Sequence, residues 1–327
     1  MRAVLFPGDR EVVHIEAPTP TPEPGEVVVR VKASGLCGSE LHSLYQVSKE
    51  RKQRSSFADI IPGHEPAGIV ESVGPCVDNV QPGDRVTVYH IAGCGYYRYC
   101  QAGWMINCST NKRSYGWDAN GGHAEFILVD ARNCVPLPEP LTFADGAHCA
   151  CGGGTAYQAL SRLQVSGRDR LAIFGVGPVG LGALMLAKAM GATVYAVDLV
   201  DERVALAADL GADVAINADE EDPVAVIREL TGGEGVETAM DCSADPVARN
   251  NTLDCARIWG RVVWVGEGHA TTINPSPQML HKQLTVMGTW VCGLTQLEEL
   301  VRFMVHHDVS FERMVTHRFP LSQIEKG

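Results

Sequence analysis

The sequence predicts an α/β protein: a doubly wound parallel sheet covered by helices, preceded by a β-rich first half. Three observations carry this. From about residue 170 short apolar, β-branched runs alternate with helical patterns, the signature of a parallel sheet buried on both faces. Before that point the apolar runs are strand-like and separated by Pro and Gly turns. A chain of 327 residues is long enough for two such domains.

In the first half, "EVVVRV" (26–31), "AGIVESVG" (67–74) and "RVTVYH" (85–90) read as strands, the turns "PGE" and "PGD" introducing the first and third. The segment "QVSKERKQRSSFAD" (46–59) is rich in Lys and Arg and reads as a solvated loop, with a small anion site as the alternative. Six strands follow: "LAIF" (171–174), "TVYAVD" (193–198), "DVAI" (213–216), "VETAMD" (236–241), "RVVWVG" (261–266) and "LTVMGTW" (284–290). Between them helices are expected over 178–190, 201–211, 222–232 and 245–260, with Asp-Pro or Asp-Glu at several starts and Gly at several stops. A last helix is expected over 295–308. The uncharged run 171–187 approaches the composition of a membrane span, but its Gly-Pro turn divides it into a strand and a helix.

The formal net charge is −12 and the pI about 5.4, so phosphate backbones and anionic membranes are repelled, and neither nucleic acid nor membrane is an expected partner. "MRAVLFPGDR" reaches Pro-Gly-Asp too early for a signal-peptide core. With no export signal, the eleven cysteines read as metal ligands or buried thiols rather than disulfides, and a cytoplasmic location is expected.

"GVGPVG" (175–180) follows a strand and opens a helix, the context that a dinucleotide-binding Rossmann fingerprint requires. Gly175 permits the tight turn, Gly177 lets the backbone approach a pyrophosphate, and Gly180 lets helix and strand pack. Asp198 ends the next strand, where its carboxylate accepts from ribose hydroxyls and repels a 2′-phosphate, which favours NAD. Arg203 lies either along the adenosine ribose or on a surface helix face.

"SGLCGSELH" (34–42), "GHEPAGIVESVGPCV" (63–77) and "CGGGTAY" (151–157) bring Cys and His together in one half of the chain. With the fingerprint, these resemble the zinc-dependent medium-chain dehydrogenase/reductase family, which includes alcohol, sorbitol and threonine dehydrogenases. Residues 63–77 meet every fixed position of its signature G-H-E-x2-G-x5-G-x2-V, and the likeness covers essentially the entire chain. It implies a GroES-like catalytic domain over 1–151 and 293–327 and an NAD-binding Rossmann domain over 152–292. It also implies a catalytic zinc held by Cys37, His64 and Cys151, with Glu65 beside the metal and Cys149 a packed thiol. The implied activity is hydride transfer from an alcohol or polyol to NAD, the zinc lowering the pKa of the alcohol. Ser39 and His42 would relay the released proton, their alternative being a turn serine and a surface histidine. Glu40 stands where Asp is usual and would orient His64. Thr155, Pro178, Val179 and Val265 complete the residues implied at the cofactor, and His90, Trp117 and Tyr45 are candidate pocket walls or ordinary core residues.

The family suggests a homodimer through the edge strand "LTVMGTW", or a homotetramer of such dimers; its chains usually carry a further helix and last strand, where this sequence stops at Gly327. Two rival readings remain. A zinc-free enone or quinone reductase of the same superfamily has no need of Cys37, His64 and Cys151, and a non-catalytic nucleotide-binding sensor has no need of the relay.

Many family members carry a structural zinc on four cysteines. Here Cys94, Cys100 and Cys108 occupy three places and Tyr97 the fourth. A neutral phenol is a poor ligand for a site normally closed by four groups, so one zinc per chain is expected, with the lobe held instead by packing of Tyr96, Tyr97, Tyr99 and Trp104.

Overall fold

The computed structural model describes residues 1–55 and 57–327, which form two compact units, Met1–Gly154 with Cys292–Gly327, and Thr155–Val291. The first unit is β-rich. Its strands are β1 (Arg2–Gly8), β2 (Glu11–Glu16), β3 (Glu26–Ser34), β4 (Pro66–Val73), β5 (Arg85–Val88), β6 (Ile91–Ala92), β7 (Arg113–Ser114), β8 (Phe126–Asp130) and β9 (Cys134–Pro136). Five of them form an antiparallel sheet in the order β8-β3-β4-β5-β9. Its core gathers Val27, Val29, Val70, Val86 and Val88, the β-branched residues of the expected runs, with Ile127 and Val129 of β8, a strand the sequence reading did not name.

The helix Phe143–His148 crosses this sheet. It starts at a reciprocal cap between Thr142 and Asp145, and Thr87 on β5 donates to its Gly146 carbonyl (2.6 Å). The second oxygen of Asp145 accepts from Ser310 Oγ (2.9 Å) and the Glu312 amide (3.0 Å), which ties the returning C-terminal segment to the same helix.

The antiparallel hairpin β1–β2 went unpredicted. "PGDR" read as a break, yet Asp9 and Arg10 both take positive φ (51° and 60°), the conformation of a tight hairpin turn. The Lys/Arg-rich segment is not wholly solvated either. Lys52 is 3% exposed, its ammonium 5.6 Å from the centre of the Phe57 ring. Ser56 in that segment lies outside the described residues.

The second unit is a six-stranded parallel sheet of β10 (Arg170–Phe174), β11 (Thr193–Asp198), β12 (Val214–Asn217), β13 (Val236–Asp241), β14 (Ala256–Trp264) and β15 (Thr285–Gly288). The order β12-β11-β10-β13-β14-β15 reverses between β10 and β13, and ligands of open α/β sheets bind at such a switch point, off the C-terminal strand ends. Asp222 and Asp245 each cap a helix whose first residue is Pro, the start that the Asp-Pro pairs predict. One boundary differs. The helix expected to run to residue 260 ends at Cys255, and β14 begins at Ala256. Lys282 Nζ donates to the carbonyls of Leu253 (2.7 Å), Asp254 (2.8 Å) and Ala256 (3.2 Å), terminating the helix from a position remote in sequence. Among the described residues no helix is long and apolar enough to cross a membrane.

Candidate active site

The fingerprint glycines occupy the positions their roles require. Gly175 has φ +89°, and a Cβ there would press on Ser243. A Cβ at Gly180 would collide with the Gly175 carbonyl, so helix Pro178–Ala189 can sit close to β10 only with glycine at that place. At Gly177, which caps this helix, an added Cβ would meet nothing within 4 Å. That leaves an open approach to the helix N-terminus of Pro178 and Val179, where unpaired amides and the helix dipole suit a pyrophosphate. Asp198, 8% exposed at the end of β11, fixes the turn by accepting from the Val176 amide (2.8 Å). Its other oxygen accepts from Leu199 (2.9 Å) and Val200 (3.2 Å), and Arg203 stands 3.7 Å from it, half exposed. Val265 follows β14, its amide bonded to the Asp241 carbonyl (2.9 Å), and Thr155 is buried in the first turn of helix Gly154–Leu163.

In the first unit, ligand atoms of Cys37, His64, Glu65 and Cys151 all lie within 4.8 Å of one another. Four local structures bring them together. Cys37 caps the short helix Gly38–Glu40 and shares a capping box with Glu40. His64 and Glu65 precede β4, with the backbone held at φ +102° by Gly63. A Cβ at Gly35 would fall on the Glu65 carboxylate, so glycine there makes the room Glu65 occupies. Cys151 sits in the π-helical turn Cys149–Gly153, a feature frequent at functional sites. Cys149, two residues earlier, is fully buried with its thiol on Met304 Sδ (3.4 Å) and is not part of the cluster.

The donor set suits a divalent, borderline-soft cation. The Cys151 thiol donates to the Cys37 sulfur and, against burial and with help from His64, holds Cys37 well below the usual thiol range. Sharing that proton raises Cys151, with burial adding to the effect. Burial raises Glu65 well above the carboxylate range, and the Cys37 charge adds to it. A thiolate at Cys37 beside a thiol and a carboxyl group that resist ionising in so buried a place is a set that a bound cation would let ionise together. His64 Nδ1 is 3.0 Å from Glu40 Oε1, which leaves the other ring nitrogen for the cluster.

Of the remaining expected residues, Ser39 Oγ donates to Cys37 Sγ (3.2 Å), whereas His42 is exposed and pairs with Gln46 (3.1 Å). His90 and Trp117 flank the His64 ring at centroid distances of 5.1 and 5.6 Å. Tyr45 meets Phe6 edge-on (5.7 Å) and joins Trp117 and Phe57 around one apolar cluster. The sequence reading missed Phe57, 6.1 Å from Trp117, and also the buried His123 with its half-buried partner Ser34 (3.0 Å). The signal for His123 was "GGHAEF", two glycines before a polar residue, which permit close backbone approach.

The second thiol group is real, but its surroundings differ from expectation. Cys94, Cys100 and Cys108 present sulfurs within 4.8 Å of one another. Tyr97 contributes only its backbone amide, to Cys94 Sγ (3.3 Å). The expected aromatic packing fails for Tyr96, which is 87% exposed, but holds between Tyr97 and Tyr99, whose rings meet edge-on at 5.4 Å with Arg98 over the Tyr99 ring. The Cys94 amide donates to Cys108 Sγ (3.5 Å).

A pH dependence of stability follows from His148, which is buried against Phe311 and held down to about 4 by burial, against opposing effects of Cys37 and Asp145. Its folded value lies below the unfolded one, so the chain is favoured above about pH 6.5 and loses stability as pH falls toward 4, by about 3 kcal/mol in all. Urea unfolding of the metal-stripped chain between pH 7 and 4.5 should show this loss, reduced in His148→Asn. Parallel pH profiles for the two proteins would contradict it.

The zinc-binding dehydrogenase family model matches residues 178–306, and the alcohol dehydrogenase GroES-like domain model matches residues 23–139. An uncharacterized zinc-type alcohol dehydrogenase-like protein, YphC of Escherichia coli (strain K12), is 37% identical over 99% of this chain and 93% of its own. The L-threonine 3-dehydrogenase of Bacillus velezensis is 33% identical over 95% of this chain and 90% of its own. Among solved structures, the alcohol dehydrogenase TADH from Thermus sp. ATN1 matches with a TM-score of 0.90 and 30% identity, covering 100% of this chain and 95% of that one.

Proposed function

The chain belongs to the zinc-type medium-chain alcohol dehydrogenase family, and on that premise we propose that it oxidises an alcohol or polyol to the aldehyde or ketone with NAD. The observation that carries this reading is the buried convergence of Cys37, His64, Cys151 and Glu65. Two cysteines and a histidine are a catalytic zinc set with a fourth position for substrate, which Glu65 is placed to hold when substrate is absent. When bound, zinc would supply Lewis acidity that makes an alcohol acidic near neutral pH, and NAD would supply the hydride acceptor.

The chain's own groups do the rest. Glu40 orients the His64 ring. Ser39, now bonded to Cys37 Sγ, turns its hydroxyl to take the substrate proton. Exposed His42 delivers that proton to water, through a bridging hydroxyl because the two side chains are not bonded to each other. His90, Trp117, Tyr45 and Phe57 shape the substrate's apolar surroundings. Ser39→Ala is expected to lower kcat about 10²-fold, and His42→Ala to lower it less. Equal losses in the two variants, or no loss in Ser39→Ala, in steady-state assays would argue against the relay.

NAD is preferred over NADP because Asp198 faces the place of the ribose, with Thr155, Arg203 and Val265 as further contacts. One zinc binds per chain, since Tyr97 gives the second thiol group no fourth ligand. The protein acts in the cytoplasm as a homodimer or tetramer paired through the edge strand β15, beside which Leu280 (65%) is exposed. The deciding experiment is a panel of primary and secondary alcohols, polyols and threonine with NAD, with and without chelator, alongside metal analysis. Chelator-sensitive turnover and about one zinc per chain are expected. Chelator-insensitive turnover would overturn the mechanism, and two zinc ions would overturn the assignment of the Cys94 group.

A further inference from the structure

Glu40 is fully buried and touches more than the metal-ligand candidate it is expected to orient. Its Oε1 accepts from the Gly63 amide (2.7 Å) and the His64 amide (3.0 Å) and faces His64 Nδ1 (3.0 Å). Its Oε2 accepts from the Cys37 amide (3.3 Å) and faces a second imidazole, His123 Nε2, at 3.6 Å. His123 is 2% exposed, and its other nitrogen lies 3.0 Å from Ser34 Oγ. The place is built for this ring. Gly63 leaves the room, since a Cβ there would strike the His123 backbone and ring, and Gly122 keeps clear of Ser34 Oγ. Phe6 packs 5.8 Å away, centroid to centroid.

From this geometry we infer that His123 is a positioning residue for the metal-binding histidine, acting through Glu40 and anchored by Ser34. The inference rests on the metal reading of Cys37, His64 and Cys151. Both rings face Glu40 at ion-pair distance without forming a hydrogen bond, and because a carboxylate only accepts, the facing nitrogen of each ring is the one suited to carry the proton. His64 would then present its other nitrogen to a metal, and His123 accepts a hydrogen bond from the Ser34 hydroxyl at Nδ1. The longer side chain at position 40 acquires a reason. Glutamate spans the distance between the two rings, with Oε2 already at 3.6 Å from His123, while aspartate, one methylene shorter, would withdraw from one of them. His123 thereby closes the second side of the Glu40 carboxylate and keeps the orienting group fixed.

The test is metal affinity, not turnover. Zinc dissociation constants are measured by chelator competition for the purified full-length chain and for His123→Phe, His123→Gln, Glu40→Asp and the His123→Phe/Glu40→Asp double variant. The ligand-field spectrum of each cobalt(II)-substituted protein is recorded in parallel. His123→Phe is expected to weaken zinc about tenfold and to shift the cobalt bands. His123→Gln, whose amide can still donate to Oε2, should restore most of the affinity. The double variant should lose little beyond Glu40→Asp alone, because both changes break one linkage. Unchanged affinity and spectrum in His123→Phe, equal loss in the Phe and Gln variants, or additive losses would each overturn the inference while leaving the metal site standing. If the unmodified chain binds no metal that Cys37→Ser abolishes, the metal reading itself falls, and this one with it.

Discussion

Cys151→Ser is expected to release the metal and to lower kcat/KM for alcohol oxidation by more than about 10³-fold, whereas Cys149→Ser leaves metal and activity in place. The two cysteines are separated by one alanine within the same π-helical turn, and only Cys151 belongs to the cluster with Cys37, His64 and Glu65. A serine hydroxyl does not replace a thiolate as a zinc ligand at neutral pH, and the remaining pair cannot hold a three-ligand site. Cys149 lies under Met304 in an apolar environment, and burial raises its thiol well above the usual range. Its replacement should therefore register in thermal stability, by about 1–2 kcal/mol for a poorly satisfied buried hydroxyl. Metal content and kcat/KM of the two purified variants decide the matter. Equal metal loss in both, or retention in Cys151→Ser, would remove Cys151 from the ligand set.

Asp198→Ala is expected to collapse the preference for NAD over NADP by about 10²-fold, mostly through a higher KM for NAD. The carboxylate has two tasks. On the proposed reading it would meet a ribose diol from the end of β11, and it already accepts from the Val176 amide, which shapes the glycine turn. Removing it forfeits contacts with the diol, relieves repulsion of a 2′-phosphate and loosens the turn. Arg203, 3.7 Å from Asp198 Oδ1, is then released to meet that phosphate. Asp198→Asn separates the tasks. Its amide oxygen can keep the Val176 bond while the negative charge is gone, so it should admit NADP with a smaller rise in KM for NAD. An unchanged ratio of kcat/KM for the two cofactors in both variants would show that Asp198 does not face the ribose.

The parallel sheet was legible because its strands are buried on both faces and read as continuous apolar runs, punctuated by glycine turns and capped helices. The candidate ligands were legible because each stands in a short segment of fixed spacing. What escaped the reading depends on contacts far apart in the chain. The end of helix Pro246–Cys255 is set by Lys282, 26 to 29 residues from the carbonyls it binds. His123 meets Glu40 across more than eighty residues of sequence, so the local "GGHAEF" marks a close backbone approach but not the partner it meets. β2 carries mostly exposed residues and lacks the apolar face that marks a strand, and its turn is Asp-Arg rather than Asn-Gly. The tyrosines near Cys94 were assigned to packing on residue type alone. The chain packs Tyr97 on Tyr99 but turns Tyr96 outward, while the sulfurs of Cys94 and Cys108 accept from backbone amides.

The polypeptide passes between the two units only twice, at Gly154–Thr155 and at Val291–Cys292. Every residue assigned to the dinucleotide thus belongs to one uninterrupted cassette, and every metal-ligand candidate lies outside it. Coenzyme choice is accordingly a graftable trait. Transplanting a single continuous segment from a relative would exchange it, while the thiols and imidazole that would grip the metal keep their own sequence.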